Sequence, residues 1–416
     1  MTRRAGPATF RAMSEKLPRH FGPSDSRAEF RTLTLDRRRF LVLLGGATIA
    51  TTLPPAFAWA AKASDRLPLQ PWSLPDTMPG APHDAVAALV GAAILAPSHW
   101  NSQPWRFEHD DGQLRLVLDP ARTLPGCDPD LRFAQMSLGA ALENLLVAAR
   151  AWGQQPTVHY LPWGLASRPG APLVAATVSW QPTDARRDGA LFAAIAERRS
   201  NARSYEGRGI TITQRAALHS QMPEEIRLHW LEDRRGIARA ANAVSDAAVA
   251  GARDTRIRTD HQAWLRESDG DARRRGDGVT AERLGYDGPF GWFAESSMRP
   301  GGHFRRWSLG WLGHETNELV RASGALALIT APRRTDSTAI LAGQAYERFA
   351  LKATALGLAQ QPLSAATQTE AGRAGIAKAF GVTNEEPLLL VRLGHARTVP
   401  ASPRRAVALV TSWHRA

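Results

Sequence analysis

Hydrophobic positions along the chain fall into short runs whose spacing switches between about 3.6 and 2 residues, which predicts helices alternating with strands. Asp84 precedes the Ala-rich apolar stretch Ala85 to Leu95, a pattern that predicts a helix capped by Asp84 and stopped by Pro97. A polar turn follows. Trp105 to Glu108 and Leu114 to Leu118 then predict two strands joined through Asp110-Asp111-Gly112. From Met136 to Trp152 the apolar positions are too continuous for one exposed face, so a helix buried on most sides is expected, ended by Gly153. Val158 to Leu161 and Val174 to Trp180 are expected strands around a Pro/Gly loop.

A second section opens at Asp188 with a helix over Ala190 to Glu197, and Arg198-Arg199-Ser200 stands at its C-terminal end. Ile210 to Thr213 alternates like an extended segment and leads to a helix from Gln214 to His219, a strand from Ile226 to Leu231 and a helix from Ile237 to Arg253. Between Arg256 and Gly313 the period breaks down. Charges, glycines and aromatic residues including Trp292, Phe293, Phe304 and Trp307 mix there, which predicts either an insertion packed by its aromatics or a mobile lid. Ala325 to Thr330 is an expected buried strand, Thr338 to Leu356 a helix ended by Gly357, the stretch through Pro362 and Ser364 a loop, and Leu388 to Leu393 the last strand.

The first sixty residues change this picture, because they belong to targeting and not to the fold. Asp36-Arg37-Arg38-Arg39-Phe40-Leu41 fits a twin-arginine export signal, followed by the apolar run Leu41 to Leu53 and the cleavage-type Ala56-Phe57-Ala58. That run is too short for a membrane span of about 20 residues. The expected division is a signal peptide over 1–58, a linker or surface strap over 59–84, a first α+β half over 85–187 and a second over 188–416 with the insertion 256–313 inside it. The expected location is the periplasm or the outer face of the cytoplasmic membrane, with the twin-arginine machinery as partner and no stable membrane span after processing. That machinery moves folded proteins, which suits a chain that must acquire a cofactor before export.

Composition is that of a globular chain, and the net charge of +13 comes almost entirely from arginines spread over the whole length. No basic face interleaved with aromatics emerges, so nucleic acid is not an expected partner. With a single cysteine, Cys127, neither an intramolecular disulfide nor a cysteine zinc site can form.

The two long helices align without a gap. Gly139, Glu143, Ala149, Ala151 and Gly153 fall opposite Gly343, Glu347, Ala353, Ala355 and Gly357, and a Gln-Gln-Pro follows each, at Gln154 and Gln360. Two copies of one α+β unit, packed about a pseudo-two-fold axis through these helices, are therefore expected. Only the first copy has the turn at Pro97 to Trp105, and only the second has the Arg198 cluster and the terminal Arg404-Arg405. A site at the interface would need both.

The turn Ala96-Pro97-Ser98-His99-Trp100-Asn101-Ser102-Gln103-Pro104-Trp105 resembles the flavin-binding turn of the nitroreductase family, and Arg198-Arg199-Ser200 resembles that family's FMN-phosphate motif. Element order and the ending Ser402-Pro403-Arg404-Arg405 are most similar to the Acg-type FMN-binding oxidoreductases, in which two nitroreductase-like halves are fused. The resemblance covers about residue 85 to the C-terminus. It implies an α+β nitroreductase-like internal pseudo-dimer, a monomer, holding one FMN. Pro97, Ser98, His99 and Asn101 would approach the flavin from the first half, and Arg198, Arg199, Ser200, Arg203, Arg404 and Arg405 would hold its phosphate from the second. Pro362, Leu363 and Ser364 would lie along the ring edge. Arginine suits the phosphate because its guanidinium is a fixed charge with a fork of donors. Ala202 stands where the family motif carries a basic residue, Arg203 being displaced by one, and in the fused branch the segment 256–313 is expected to cover the flavin.

The resemblance further implies an exported oxidoreductase that passes hydride or electrons through FMN N5 to a small oxidant, a nitroaromatic or a quinone, with no catalytic side chain required. The other reading is a protein that sequesters FMN beneath a lid without turnover. His314-Glu315-Thr316-Asn317-Glu318 lacks the second histidine of a zinc protease motif, no metal site is expected, and neither a Gly-rich dinucleotide fingerprint nor a nucleophile elbow is present.

Overall fold

Period-two strands and the long buried helices organise the chain into two sheets of the same design. In the computed structural model the described residues are 72–110, 112–164, 173–286 and 305–413, the side chains of 305–308 excepted. The expected signal and linker up to residue 71, and Trp292, Phe293, Phe304 and the Trp307 side chain, lie outside them.

The first half runs α1 (Pro82–Ala93), β1 (Trp105–Asp110), β2 (Gln113–Leu118), α2 (Arg132–Ala151), β3 (Gln154–Tyr160) and β4 (Val174–Pro182). The second runs α3 (Gly189–Glu197), α4 (Ile212–His219), β5 (Arg227–Leu231), α5 (Arg234–Arg253), α6 (Thr255–Trp264), α7 (Asp269–Arg275), α8 (Arg305–Arg321), β6 (Ala325–Ala331), α9 (Thr338–Ala355), β7 (Ala359–Pro362), α10 (Ala365–Gln368), α11 (Glu370–Phe380), β8 (Glu386–Gly394) and β9 (Thr411–Trp413). Strand order is β3-β4-β2-β1-β9 in one sheet and β5-β6-β8-β7 in the other. Read from the opposite edge, the second sheet is β7-β8-β6-β5, the same succession as β3-β4-β2-β1. Every neighbouring pair in that common set is antiparallel. The duplication therefore extends from the helices to the sheets. Only β9 breaks it, crossing from the end of the second half to pair in parallel with β1, Phe107 opposite Thr411.

Small residues explain how the halves meet. A Cβ placed on Gly139 of α2 would lie 2.0 Å from the carbonyl oxygen of Ile340, and one on Gly343 of α9 would lie 2.0 Å from that of Met136. Ile340 precedes Gly343 by the same three residues that separate Met136 from Gly139, so the contact is reciprocal, as a pseudo-two-fold axis requires. Every residue of α2 from Arg132 to Ala149 is buried, which is why its sequence shows no single apolar face. Side chains also cross over: Phe133 and Met136 pack in the core of the second sheet, Ile340 and Leu351 in that of the first. Residues Lys62–Ala416 accordingly form one compact unit and not two.

Several boundaries differ from the sequence pattern, each for a local reason. Helix α1 begins at Pro82 with Ala81 as its N-cap, which puts Asp84 inside the first turn, where its carboxylate faces the helix dipole. Helix α2 begins four residues early because the Asp128 carboxylate accepts the backbone N–H groups of Phe133 and Ala134 at 3.0 and 2.8 Å. The alternating Ile210-Thr211-Ile212-Thr213 is not extended throughout: Thr211 and Gln214 form a capping box, and Ile212 opens α4. Part of the irregular stretch from Arg256 is helical, with Asp254 capping α6 and Ser268 capping α7. Beyond Gly357, where a loop is expected, β7 and two further helices form, and β9 follows β8 as the last strand. Among the described residues no helix is long and apolar enough to cross a membrane.

Candidate functional site

The polar turn after α1 is wound tightly. Trp100, Asn101 and Gln103 all take left-handed backbone conformations, with φ of 53, 52 and 53°. Each costs on the order of 1 kcal/mol, so the surroundings must hold them. Within the turn, Gln103 N–H donates to Ser98 Oγ at 2.9 Å and Asn101 N–H to the Ser98 carbonyl at 3.0 Å. From outside, the Asn101 amide donates to the carbonyls of Gly278 and Pro403 at 3.0 and 3.1 Å, and its oxygen accepts from Arg404 at 3.0 Å. Gln103 donates to the Gly276 carbonyl at 2.7 Å and accepts the backbone N–H of Arg405 at 2.9 Å. Two distant segments of the second half thus clamp a turn of the first.

The clamp forms one wall of a cavity of about 290 Å³. Ten of the thirteen residues expected from sequence line it: Pro97, Ser98, His99 and Asn101 from the turn, and Arg198, Arg199, Ser200, Pro362, Ser364 and Arg404 from the second half. Three do not. Leu363 turns into the core beside α5, its N–H bonded to the Leu390 carbonyl at 2.7 Å. The Arg405 guanidinium reaches the carbonyls of Gln103 and Leu409 at 3.4 and 3.1 Å and faces Asp119. Arg203 lies 3.9 Å from Glu282 with its side chain 39% exposed. Sequence reasoning missed Trp72, Arg283, Phe133 and Ser137 on the wall, and Glu347 behind it.

Charge concentrates at one end. Arg198 is buried, with Nε 3.2 Å from Glu347 Oε1. Arg198 and Arg404 both donate to the Leu95 carbonyl, at 3.3 and 3.1 Å, and Arg404 also to Ala96 at 3.0 Å. These carbonyls lie just past the C-terminus of α1, where oxygens need donors from outside the helix and the dipole favours cations. Arg199 sits over the Trp72 ring at 4.3 Å and Arg404 over the same ring at 5.0 Å, while the indole N–H donates to the Ser402 carbonyl at 3.0 Å. Arg283 is held by Asp269 at 3.0 Å. Four guanidiniums, Arg198, Arg199, Arg283 and Arg404, therefore line the cavity, with Glu347 and Asp269 behind them and Glu197 near Arg199, and none of the described residues lining the cavity is acidic. Burial first and then the repulsion of Arg198 hold the Arg404 guanidinium well below its usual range, and the same two causes push Arg199 down to about 10. Crowded like charges of this kind are relieved by an anion.

The other end is aromatic and apolar. His99 stacks on Phe133 with ring centres 4.8 Å apart, and its Nε2 is buried without a partner. Burial, with smaller contributions from His261 and Arg132, lowers its pKa to about 3, so the imidazole is neutral. His261 stacks on Trp100 at 4.2 Å, and burial lowers it to about 4. Cys127 is buried, its thiol pushed up by burial and by Asp260, and it takes no part in the cavity.

The pseudo-two-fold axis carries Ser137 and Ala140 onto Leu341 and Gln344, which line a second hollow. Arg150, Arg187 and Arg348 line it with Glu143 and Asp188, and all of these but Arg187 are tied into one ion-pair network. Arg348 bonds Glu143 at 2.9 Å and Asp188 at 2.8 Å, Arg150 bonds Asp188 at 3.3 Å, and Gln344 bridges Glu143 and Tyr160 at 3.1 and 2.8 Å. Among the described residues no His/Cys/Asp/Glu cluster suits a metal.

The family model described as "Nitroreductase family" matches residues 195–395. A Mycobacterium tuberculosis protein named "Putative NAD(P)H nitroreductase" is 30% identical over 349 residues, covering 79% of this chain and 92% of its own length. The chain belongs to the nitroreductase family. A second protein of that organism, "Putative NAD(P)H nitroreductase acg", is 36% identical over 111 residues, 27% of this chain and 31% of its own. The solved FMN-dependent nitroreductase NfnB of Mycobacterium smegmatis, in complex with NADPH, aligns with a TM-score of 0.34 at 16% identity over 54% of this chain and 98% of its own. The family match takes in the second sheet and α9 and ends in β8. In this nitroreductase the first sheet repeats that strand order and supplies the clamped turn.

Proposed function

We propose that this nitroreductase is an FMN-dependent oxidoreductase that holds one FMN between its halves and reduces a small oxidant, a nitroaromatic or a quinone. The observation that carries the reading is the cluster of four arginines, Arg198, Arg199, Arg283 and Arg404, at one end of a cavity that has no acidic residue in its described lining and elsewhere presents aromatic, apolar and neutral polar side chains. A phosphate monoester carries up to two negative charges at neutral pH and offers three acceptor oxygens. Arg198, Arg199 and Arg404, with the Ser200 hydroxyl, are the residues that would hold it.

When bound, FMN supplies the two-electron chemistry at N5, and the protein supplies position, exclusion of water and electrostatics. Neutral His99 lines the cavity without adding charge to it. Phe133, Met136 and Ala140 would give the flavin apolar surface to lie on, and Pro362 and Ser364, at and just past the end of β7, would contact it. No side chain is assigned an acid or base role. In the second hollow Arg150 and Arg348 are tied up by Glu143 and Asp188, which leaves Arg187 as the one arginine of the described lining outside that network and supports one FMN per chain.

Export by the twin-arginine route is part of the proposal and rests on Asp36 to Leu41 and the apolar run behind it. The family relatives are named for NAD(P)H, and an exported enzyme would need a different donor or another source of it. The test is enzymatic. The purified chain should bind FMN and, once reduced by dithionite or NAD(P)H, reduce a nitro compound or a quinone. Absence of flavin binding would remove the whole reading, whereas tight binding without turnover would leave an FMN-sequestering protein.

A further inference from the structure

We propose that Glu347 couples proton uptake to anion binding in the arginine cluster, acting as a positioning residue that lends its charge to Arg198 and Arg404 while the cavity is empty and gives it up when an anion arrives. This rests on reading the cluster as an anion site. Glu347 is fully buried on α9, and nothing in the redox role of the cavity calls for a carboxylate there. It lies 3.2 Å from Arg198 Nε and within the influence of the Asn144 amide, yet neither of its oxygens makes a hydrogen bond of good geometry to a described residue. Charged and titratable groups face it from every side: Arg198 from the end of α3, Arg404 from the C-terminal tail, Glu143 with the amide of Asn144 from α2, and Tyr346 from its own helix. Two of these, Arg198 and Arg404, line the cavity, so their outer faces meet the ligand while Glu347 stands at their backs.

The sign follows from the charges. With the cavity empty, burial raises the Glu347 pKa to about 7 against the pull of Arg198 and Arg404, so the carboxyl is part ionised at neutral pH. A dianion on the far side of the same guanidiniums competes for them and repels the carboxylate, which raises that pKa further. Binding must then take up protons, and by linkage it tightens as the pH falls. The ligand's own titration has the opposite sign, because a phosphate held by arginines loses protons more readily than a free one. Net uptake above the second phosphate pKa of about 6 therefore reports on the protein. Glu143 is its pseudo-symmetric twin, but that carboxylate accepts hydrogen bonds from Arg348 and Gln344 and lines the second hollow.

Calorimetry of the full chain at pH 7.5, in two buffers of different ionisation enthalpy, counts the protons taken up on adding FMN and, separately, sulfate, which stays a dianion throughout the neutral range. The proposal predicts a fractional uptake with both, lost in Glu347→Gln. It also predicts that E347Q binds several-fold tighter than the parent at pH 8 and equally at pH 6. FMN binding without proton uptake would overturn the role of Glu347 and leave the flavin reading intact. Sulfate binding with uptake but no FMN binding would uphold Glu347 and sink the flavin. Binding of neither ligand would end both, and an E347Q chain that binds more weakly at every pH would show a purely structural carboxylate.

Discussion

Asn101 makes three buried hydrogen bonds to two distant segments, the carbonyls of Gly278 and Pro403 and the Arg404 guanidinium, from a left-handed backbone. Asn101→Ala is expected to lower stability by about 1 to 3 kcal/mol in urea unfolding and to loosen flavin retention, because Arg404 loses a partner. His99 and His261 give a pH dependence. Their folded-state values of about 3 and 4 lie below an unfolded value of about 6.5. Above that value both states are neutral and nothing changes; as pH falls below it the unfolded chain binds protons first and stability declines towards pH 4. His99→Phe should flatten part of that slope in urea midpoints measured from pH 7.5 to 4.5, and an unchanged slope would place the protons elsewhere. Ten of the expected residues line the cavity, and seven of those were legible because the turn and the Arg-Arg-Ser cluster are local patterns. Trp72 and Arg283 were not, since the first reaches the wall from a linker and the second from a stretch without a period. Glu347 was visible only as a register mark in the repeat, its role being tertiary.

Among the elements, α2 and α9 have the least freedom. Gly139→Ala and Gly343→Ala each force a methyl group onto a backbone carbonyl at 2.0 Å, and neither helix can yield without separating the halves. Each should cost about 3 kcal/mol or more, and the two losses should be similar because the contacts are symmetric; thermal unfolding of both variants measures this. The matching glycines made that crossing readable before any coordinates. Capping was harder to read: the early start of α2 depends on Asp128, which folds back from outside the helix, and the strand reading of Ile212 gave way to a box closed by Gln214. The short strands β7 and β9 have no alternating pattern of their own and exist because β8 and β1 offer edges.

At the scale of the molecule, the duplication gives two similar frameworks, and divergence has given them different charge. One interface position gathers four arginines round a described lining without a carboxylate, while at its pseudo-symmetric counterpart Arg150 and Arg348 are tied up by Glu143 and Asp188. Replacing Arg198 and Arg199 together with Ala removes two of those four charges, and FMN should then be lost on gel filtration while the far-ultraviolet circular dichroism is unchanged. The sequence signalled this asymmetry through the turn in one half and the arginines in the other. It could not show that Glu143, Arg150, Asp188 and Arg348 pair with one another in the second hollow, because they come from two helices, α2 and α9, and from the residue that precedes α3. The most direct test of a single composite site is the stoichiometry of a flavin titration of the purified chain, followed by absorbance after removal of free ligand. The account predicts saturation at one FMN per chain; saturation at two, or no retained flavin at all, would contradict it.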